Sequence, residues 1–200
     1  TGANSFRTYN ADGAAVDRAD SLGFKVMMGL PVNQNDALGA VNQYKNRKSI
    51  LCWAIGNEEE TRTGDRIGLW KEINTIAKAI KAADPNHLVI TVIAELANNN
   101  LQEITQYAPD LDFVGINSYG GAISLPTRVN NVGWKKPFAL TEFGPTGHWE
   151  APKTPWGLPI EPNSTAKAKS YLDVQTVLAS SPNCIGSVPF LWGQKQEKTH

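Results

Sequence analysis

Seven apolar runs of strand length, separated by segments whose apolar residues recur at helical spacing, limit what this 200-residue chain can fold into. The runs are Ser5 to Tyr9, Lys25 to Leu30, Ile50 to Ile55, Leu88 to Val92, Phe113 to Asn117, Phe138 to Glu142 and Ile185 to Leu191. Between them, Ala14 to Leu22 and Asp36 to Tyr44 read as short helices. Asp65 to Ala83 reads as a long one, with Ile67, Trp70, Ile73, Ile76, Ala77 and Ile80 on one stripe and Asp84-Pro85-Asn86 ending it. Ser164 to Leu178 is similar, with Ser164 as the expected N-cap and Ala166, Ala168, Tyr171, Leu172, Val174 and Val177 available for burial. Strands alternating with helices imply a parallel sheet, and the expected architecture is an α/β fold of the (β/α)8 TIM-barrel type. Such a barrel takes about 250 residues. The count stops at seven strands, and the tail after Trp192 is polar. The expectation is a single barrel domain over 1–200, truncated, with its first strand and helix and its last helix outside this sequence.

Bulk properties narrow the partners. Nineteen basic residues balance 19 acidic ones, so the chain carries no electrostatic footprint for nucleic acid or an anionic membrane. The longest apolar stretches, such as Gly186 to Trp192, are too short to span a bilayer, and the N-terminus lacks the zones of a signal peptide. A neutral sugar polymer would suit such a protein. Cys52 and Cys184 both fall in or beside strand runs, where a small buried thiol is the expected state rather than a disulfide.

Two of the strand runs end in a carboxylate. Glu58 closes Ile50-Leu51-Cys52-Trp53-Ala54-Ile55-Gly56-Asn57-Glu58, and Glu142 closes Phe138-Ala139-Leu140-Thr141-Glu142. In a parallel barrel both would emerge at the C-terminal rim, where barrel enzymes place their chemistry. Glycoside hydrolysis needs such a pair: one carboxyl group to protonate the leaving oxygen and one carboxylate to attack the anomeric carbon or activate water. A lone Glu after a strand is ordinarily a solvated loop residue. Adjacent Glu59 and Glu60 compete with Glu58 on spacing alone, but only Glu58 follows Asn57.

Five strand-end motifs carry a resemblance: Asn4-Ser5-Phe6-Arg7-Thr8-Tyr9, Trp53-Ala54-Ile55-Gly56-Asn57-Glu58, Gly115-Ile116-Asn117-Ser118-Tyr119-Gly120, Thr141-Glu142-Phe143-Gly144 and Phe190-Leu191-Trp192-Gly193. In content and order they resemble the retaining β-glycosidases of glycoside hydrolase clan A, and within it the catalytic barrel of family 2 enzymes. The resemblance implies that Glu58 is the acid/base and Glu142 the nucleophile. It implies that Arg7 fixes the nucleophile and that Tyr119 hydrogen-bonds near it. Asn57 would hold the sugar 2-hydroxyl, with Asn117 beside it, and Trp192 would floor the subsite of the sugar being cleaved. The implied activity is hydrolysis of a β-linked oligo- or polysaccharide through a glycosyl-enzyme intermediate. A β-glucan transglycosidase with the same site, a non-catalytic carbohydrate-binding barrel and an inert fragment are the alternatives.

Sugars present apolar C–H faces, so aromatic platforms are expected around such a cleft. Trp149 and Trp156 lie in the long segment after Glu142, either as such platforms or packed onto their own loop; Trp53, Trp70 and Trp134 read as core. His148 is at most a subsite residue, because no nucleophile elbow and no second ligand at metal spacing accompanies it. His87 reads as structural. Neither a metal nor a cofactor is expected, and no Gly-rich phosphate loop is present. A polymer substrate points to a secreted or periplasmic protein. Sugar identity and oligomeric state are not legible.

Overall fold

The computed structural model describes residues 2–97 and 99–191. Its seven strands are all parallel and pair in chain order. They are β1 (Ser5–Arg7), β2 (Lys25–Leu30), β3 (Ile50–Ile55), β4 (Leu88–Ala94), β5 (Phe113–Asn117), β6 (Phe138–Phe143) and β7 (Cys184–Pro189). The sheet curls into a nearly closed barrel: Arg7 on β1 reaches Glu142 on β6 at 3.0 Å although four strands lie between them in the sheet order. All seven strand runs read from the sequence are present, displaced by one or two residues at some ends.

Strand alternation divides the apolar residues into two layers. Met27, Cys52, Ala54, Ile90, Val92, Phe113 and Ala139 form a small cluster inside the barrel. Their neighbours Met28, Trp53, Ile55, Ile93, Val114, Ile116 and Leu140 point outward into the larger core beneath the helices. Interior positions are small where strands crowd. A Cβ on Gly115 would lie 2.6 Å from Thr141 Cγ2, and one on Gly29 would lie 2.3 Å from the backbone carbonyl of Tyr9. Cys52 is buried in this interior, and burial pushes its thiol up to about 12, so it is inert as a nucleophile. Both cysteines are free, as expected.

Among the described residues six α-helices flank the strands: α1 (Gly13–Leu22), α2 (Gln34–Tyr44), α3 (Arg66–Ala83), α4 (Asn100–Tyr107), α5 (Leu125–Asn131) and α6 (Ser164–Ala179). Asp12, Asn33 and Asp65 cap α1, α2 and α3 by accepting from a backbone N–H three residues on. The α3 stripe is as read, with Trp70, Ile73, Ile76, Ala77 and Ile80 buried, except that Ile67 in the first turn is 41 % exposed. Trp53 and Trp134 are buried, and His87 is structural, its Nδ1 2.7 Å from Asp84 Oδ2 and its ring edge-on to Trp53.

The C-terminal unit departs from expectation. Asn163, not Ser164, caps α6, because its side chain is the one that reaches Ala166 N. Only Val174 and Leu178 of α6 are buried; Ala166, Ala168 and Leu172 face outward. β7 is likewise shallow, with Ile185 52 % exposed. The reason is topological: β7 is bonded on one side only among the described strands, so α6 has half the usual sheet surface to cover. No described helix is long and apolar enough to cross a membrane.

Candidate active site

The rim at the strand C-termini is built by two distortions. After β3 the chain turns sharply: Gly56 and Glu58 both have positive φ, 71° and 56°, flanking Asn57. A left-handed non-glycine residue costs free energy and persists only where its surroundings hold it. Here Glu58 N–H donates to Val92 O at 2.9 Å, Thr61 Oγ1 donates to Glu58 O, and Arg62 Nη1 donates to Asn57 O. The turn separates three consecutive glutamates. Glu58 faces the cleft, Glu59 pairs outward with Arg62 at 3.1 Å, and Glu60 turns inward, where its Oε1 accepts from Ala94 N–H at 2.7 Å. Glu60 is buried, its Oε2 has no hydrogen-bond partner among the described residues, and burial pushes its carboxyl up to about 7.

The second distortion is a register shift between β5 and β6 that pairs Asn117 with Glu142. Glu142 is 8 % exposed and accepts three hydrogen bonds: from Arg7 Nη1 at 3.0 Å and Tyr9 Oη at 2.8 Å on Oε1, and from Tyr119 Oη at 2.8 Å on Oε2. Burial, and then the neighbouring Glu142, push both phenols above their ordinary range, so they remain protonated donors. Glu58 differs in its surroundings. The hydrogen bond it receives on Oε1 comes from Asn117 Nδ2, at 2.7 Å.

Asn117 and Arg7 join the two carboxylates. Asn117 Oδ1 accepts from Thr141 Oγ1 at 2.8 Å and from Arg7 at 3.4 Å, which turns its amide nitrogen toward Glu58 and toward Asn57 Oδ1 at 3.2 Å. Arg7 Nη2 also donates to Asn57 Oδ1, at 2.5 Å. The side chain of Arg7 is 3 % exposed, so its charge is a fixed part of the rim rather than a surface group. Among the described residues, the arrangement gives one carboxylate clamped by a guanidinium and two phenols, and one held by a single amide.

A cleft of about 680 Å³ opens over this pair. Glu58, Asn117, Tyr119 and Glu142 line it, as do His148 and Trp149 from the segment after β6. Trp149 packs edge-on to Tyr119 at 5.4 Å and is 58 % exposed, so its indole is available to a ligand. Trp156 is not brought in. It sits beside Gly157 (φ 87°) at the tip of a small turn closed by Thr154 N–H to Leu158 O and Gly157 N–H to Thr154 O, which leaves it 73 % exposed and outside the cleft lining. Trp192 lies outside the described residues.

Three site groups were not singled out from the sequence. Tyr9 belongs to the quoted first motif, yet its partner is 133 residues away and nothing local announces it. Thr141 orients Asn117. Glu95, just past β4, lines the cleft and accepts from Ser118 Oγ at 2.5 Å. No group of three or more His, Cys, Asp or Glu able to hold a metal occurs among the described residues.

Solved structures share this arrangement of strands and helices. A β-D-glucuronidase of Dictyoglomus thermophilum superposes with a TM-score of 0.72 at 19% identity, over 99% of this chain and 40% of its own. A Bacteroides uniformis β-glucuronidase gives 0.70 at 17%, over 94% and 26%. A family 2 β-galacturonidase of Eisenbergiella tayi gives 0.67 at 20%, over 94% and 37%. The chain shares its barrel fold with these glycosidases. It spans only about a quarter to two fifths of each of these solved chains. No protein-family model and no curated protein matches the sequence.

Proposed function

We propose that the chain is the barrel of a retaining β-glycosidase that cleaves a β-linked oligo- or polysaccharide by double displacement. The observation that carries the reading is the unequal support of the two carboxylates. Among the described residues, Glu142 accepts from a buried guanidinium and two phenols, whereas Glu58 accepts from one amide. Three convergent donors suit a nucleophile that must stay ionised and aimed. A lightly held carboxyl suits a group that must both give and take a proton.

In the first step Glu142 Oε attacks the anomeric carbon as the glycosidic C–O bond breaks, and Glu58 delivers its proton to the departing oxygen. The product is a glycosyl ester on Glu142. In the second step Glu58 removes a proton from water, the hydroxide oxygen attacks the anomeric carbon, and the Glu142 carboxylate leaves. Two inversions give net retention. Asn57 is the residue offered to the sugar 2-hydroxyl and Trp149 the platform for a ring beyond it. The glycosidase names of the solved neighbours support the reaction class. A polymer substrate would place the protein outside the cytoplasm.

Chemical rescue tests the assignment. Glu142→Ala abolishes turnover of an aryl β-glycoside, and azide restores it with an inverted glycosyl azide as product. Glu58→Ala keeps activity on substrates with good leaving groups, and azide yields the retained product. A mild Glu58→Ala with a damaging Glu59→Ala or Glu60→Ala would overturn the roles. Product lengths from a β-glucan panel separate hydrolysis from transfer, since products longer than the substrate would make the chain a transglycosidase.

A further inference from the structure

The cleft is acidic, and the lysines and arginines at it among the described residues are already engaged. Glu58, Glu95, Glu142, Glu150 and Glu161 line it against Lys167. Lys167 pairs with Glu161, Arg7 behind the wall pairs with Glu142, and Arg128 pairs with Glu95 at 2.8 Å. Three ion pairs therefore leave the carboxyls of Glu58 and Glu150 without a compensating cation. Glu150 has no ion-pair partner among the described residues, and it lines the cleft beside Gly120. Its Oε2 would lie 2.9 Å from a Cβ on Gly120, the residue after Tyr119, while Trp149 beside it packs on the Tyr119 ring.

We propose that this site takes uncharged sugars and rejects uronic acids, with Glu150 as a specificity-determining residue. The inference rests on the glycosidase reading and adds the substrate class. A uronate carboxylate entering the cleft would meet Glu150 and Glu58 with no unengaged lysine or arginine among the described lining residues to receive it, and like charges set together in a partly desolvated site are costly. A neutral ring meets no such charge. Gly120 permits the arrangement, since a side chain there would push Glu150 away.

The test compares matched ligands on the 200-residue chain at pH 7.5. Binding of a thio-linked, non-hydrolysable β-glucoside and its β-glucuronide counterpart is measured by calorimetry at low and high ionic strength. Turnover of aryl β-glucoside, galactoside, mannoside, glucuronide and galacturonide is measured beside it. The uronide is expected to bind at least about tenfold more weakly, with salt narrowing the gap because screening weakens the repulsion. Glu150→Gln narrows it severalfold at low salt by improving uronide binding. Equal or tighter uronide binding, a gap indifferent to salt and to Glu150→Gln, or binding of neither ligand would overturn the inference. Preferential neutral binding without turnover of any aryl glycoside would leave the inference standing and overturn the glycosidase reading instead.

Discussion

Among single residues, Glu60 is the most informative beside the proposed catalytic pair. Its folded carboxyl titrates near 7 against an ordinary value of 4.5, because burial disfavours the charged form. A raised acid holds its proton in the folded state while the unfolded chain has already lost it, so folding stability falls as pH rises from about 4.5 to 7 and stays lower above that. Glu60→Gln removes the penalty and keeps the side-chain carbonyl that accepts from Ala94 N–H. Thermal melts should show the variant roughly 5 °C more stable at pH 8 and indistinguishable at pH 4.5. An equal advantage at both pH values would mean that Glu60 is not buried as a neutral acid. That Glu58, rather than its two neighbours, faces the cleft was legible in the sequence only through Asn57. Tyr9 was not legible as a site residue, since its place depends on how closely β1 and β6 approach across the barrel mouth.

Between elements, backbone spacing sets the site. Gly29 on β2 lets the chain after β1 approach so closely that a methyl group would lie 2.3 Å from the Tyr9 carbonyl carbon and oxygen. Gly29→Ala must therefore move the segment that carries Arg7 and Tyr9. Its kcat/KM should fall by at least about tenfold with KM changing less than kcat, because the loss falls on the aim of Glu142. Gly39 is the control: it lies exposed within α2 with nothing within 4 Å of a built Cβ. Gly39→Ala should stabilise by about 0.5–1 kcal/mol in denaturant melts without changing kcat/KM. The strands were legible because alternating and continuous apolar runs mark them directly. Helices α4 and α5 were not, being eight and seven residues long, too short for a 3.6-residue period to show, and α5 carries Pro126 as its second residue. The shallow packing of α6 was also hidden, because its apolar residues recur at helical spacing whether or not a second strand lies beneath them.

For the molecule as a whole, β1 and β7 each have one hydrogen-bonded neighbour among the described strands, and Leu172, Ile185 and Leu191 lie exposed beside β7. An unpaired strand edge with apolar flanks invites pairing with another chain. Sedimentation of the 200-residue chain should show reversible self-association that rises with concentration. Ile185→Lys should suppress it by placing a charge at the edge. A monomer at all concentrations, or association unaffected by the substitution, would show that this edge is protected in solution. The barrel class was legible from strand and helix alternation. How far the sheet closes was not, since closure is set by strand tilt and register rather than by local pattern.

The central claim, that Glu142 forms a covalent bond to the sugar while Glu58 shuttles protons, is tested most directly by trapping the intermediate. A 2-deoxy-2-fluoro aryl β-glycoside with a good leaving group slows both steps by withdrawing charge from the oxocarbenium-like transition state, and the first step can still proceed. Intact-mass spectrometry should show one fluoroglycosyl unit per chain, and peptide mapping should place it on the segment containing Glu142, with Glu142→Gln unlabelled. Labelling on Glu58, or an unlabelled protein that releases product of inverted configuration from the unfluorinated substrate, would contradict the account.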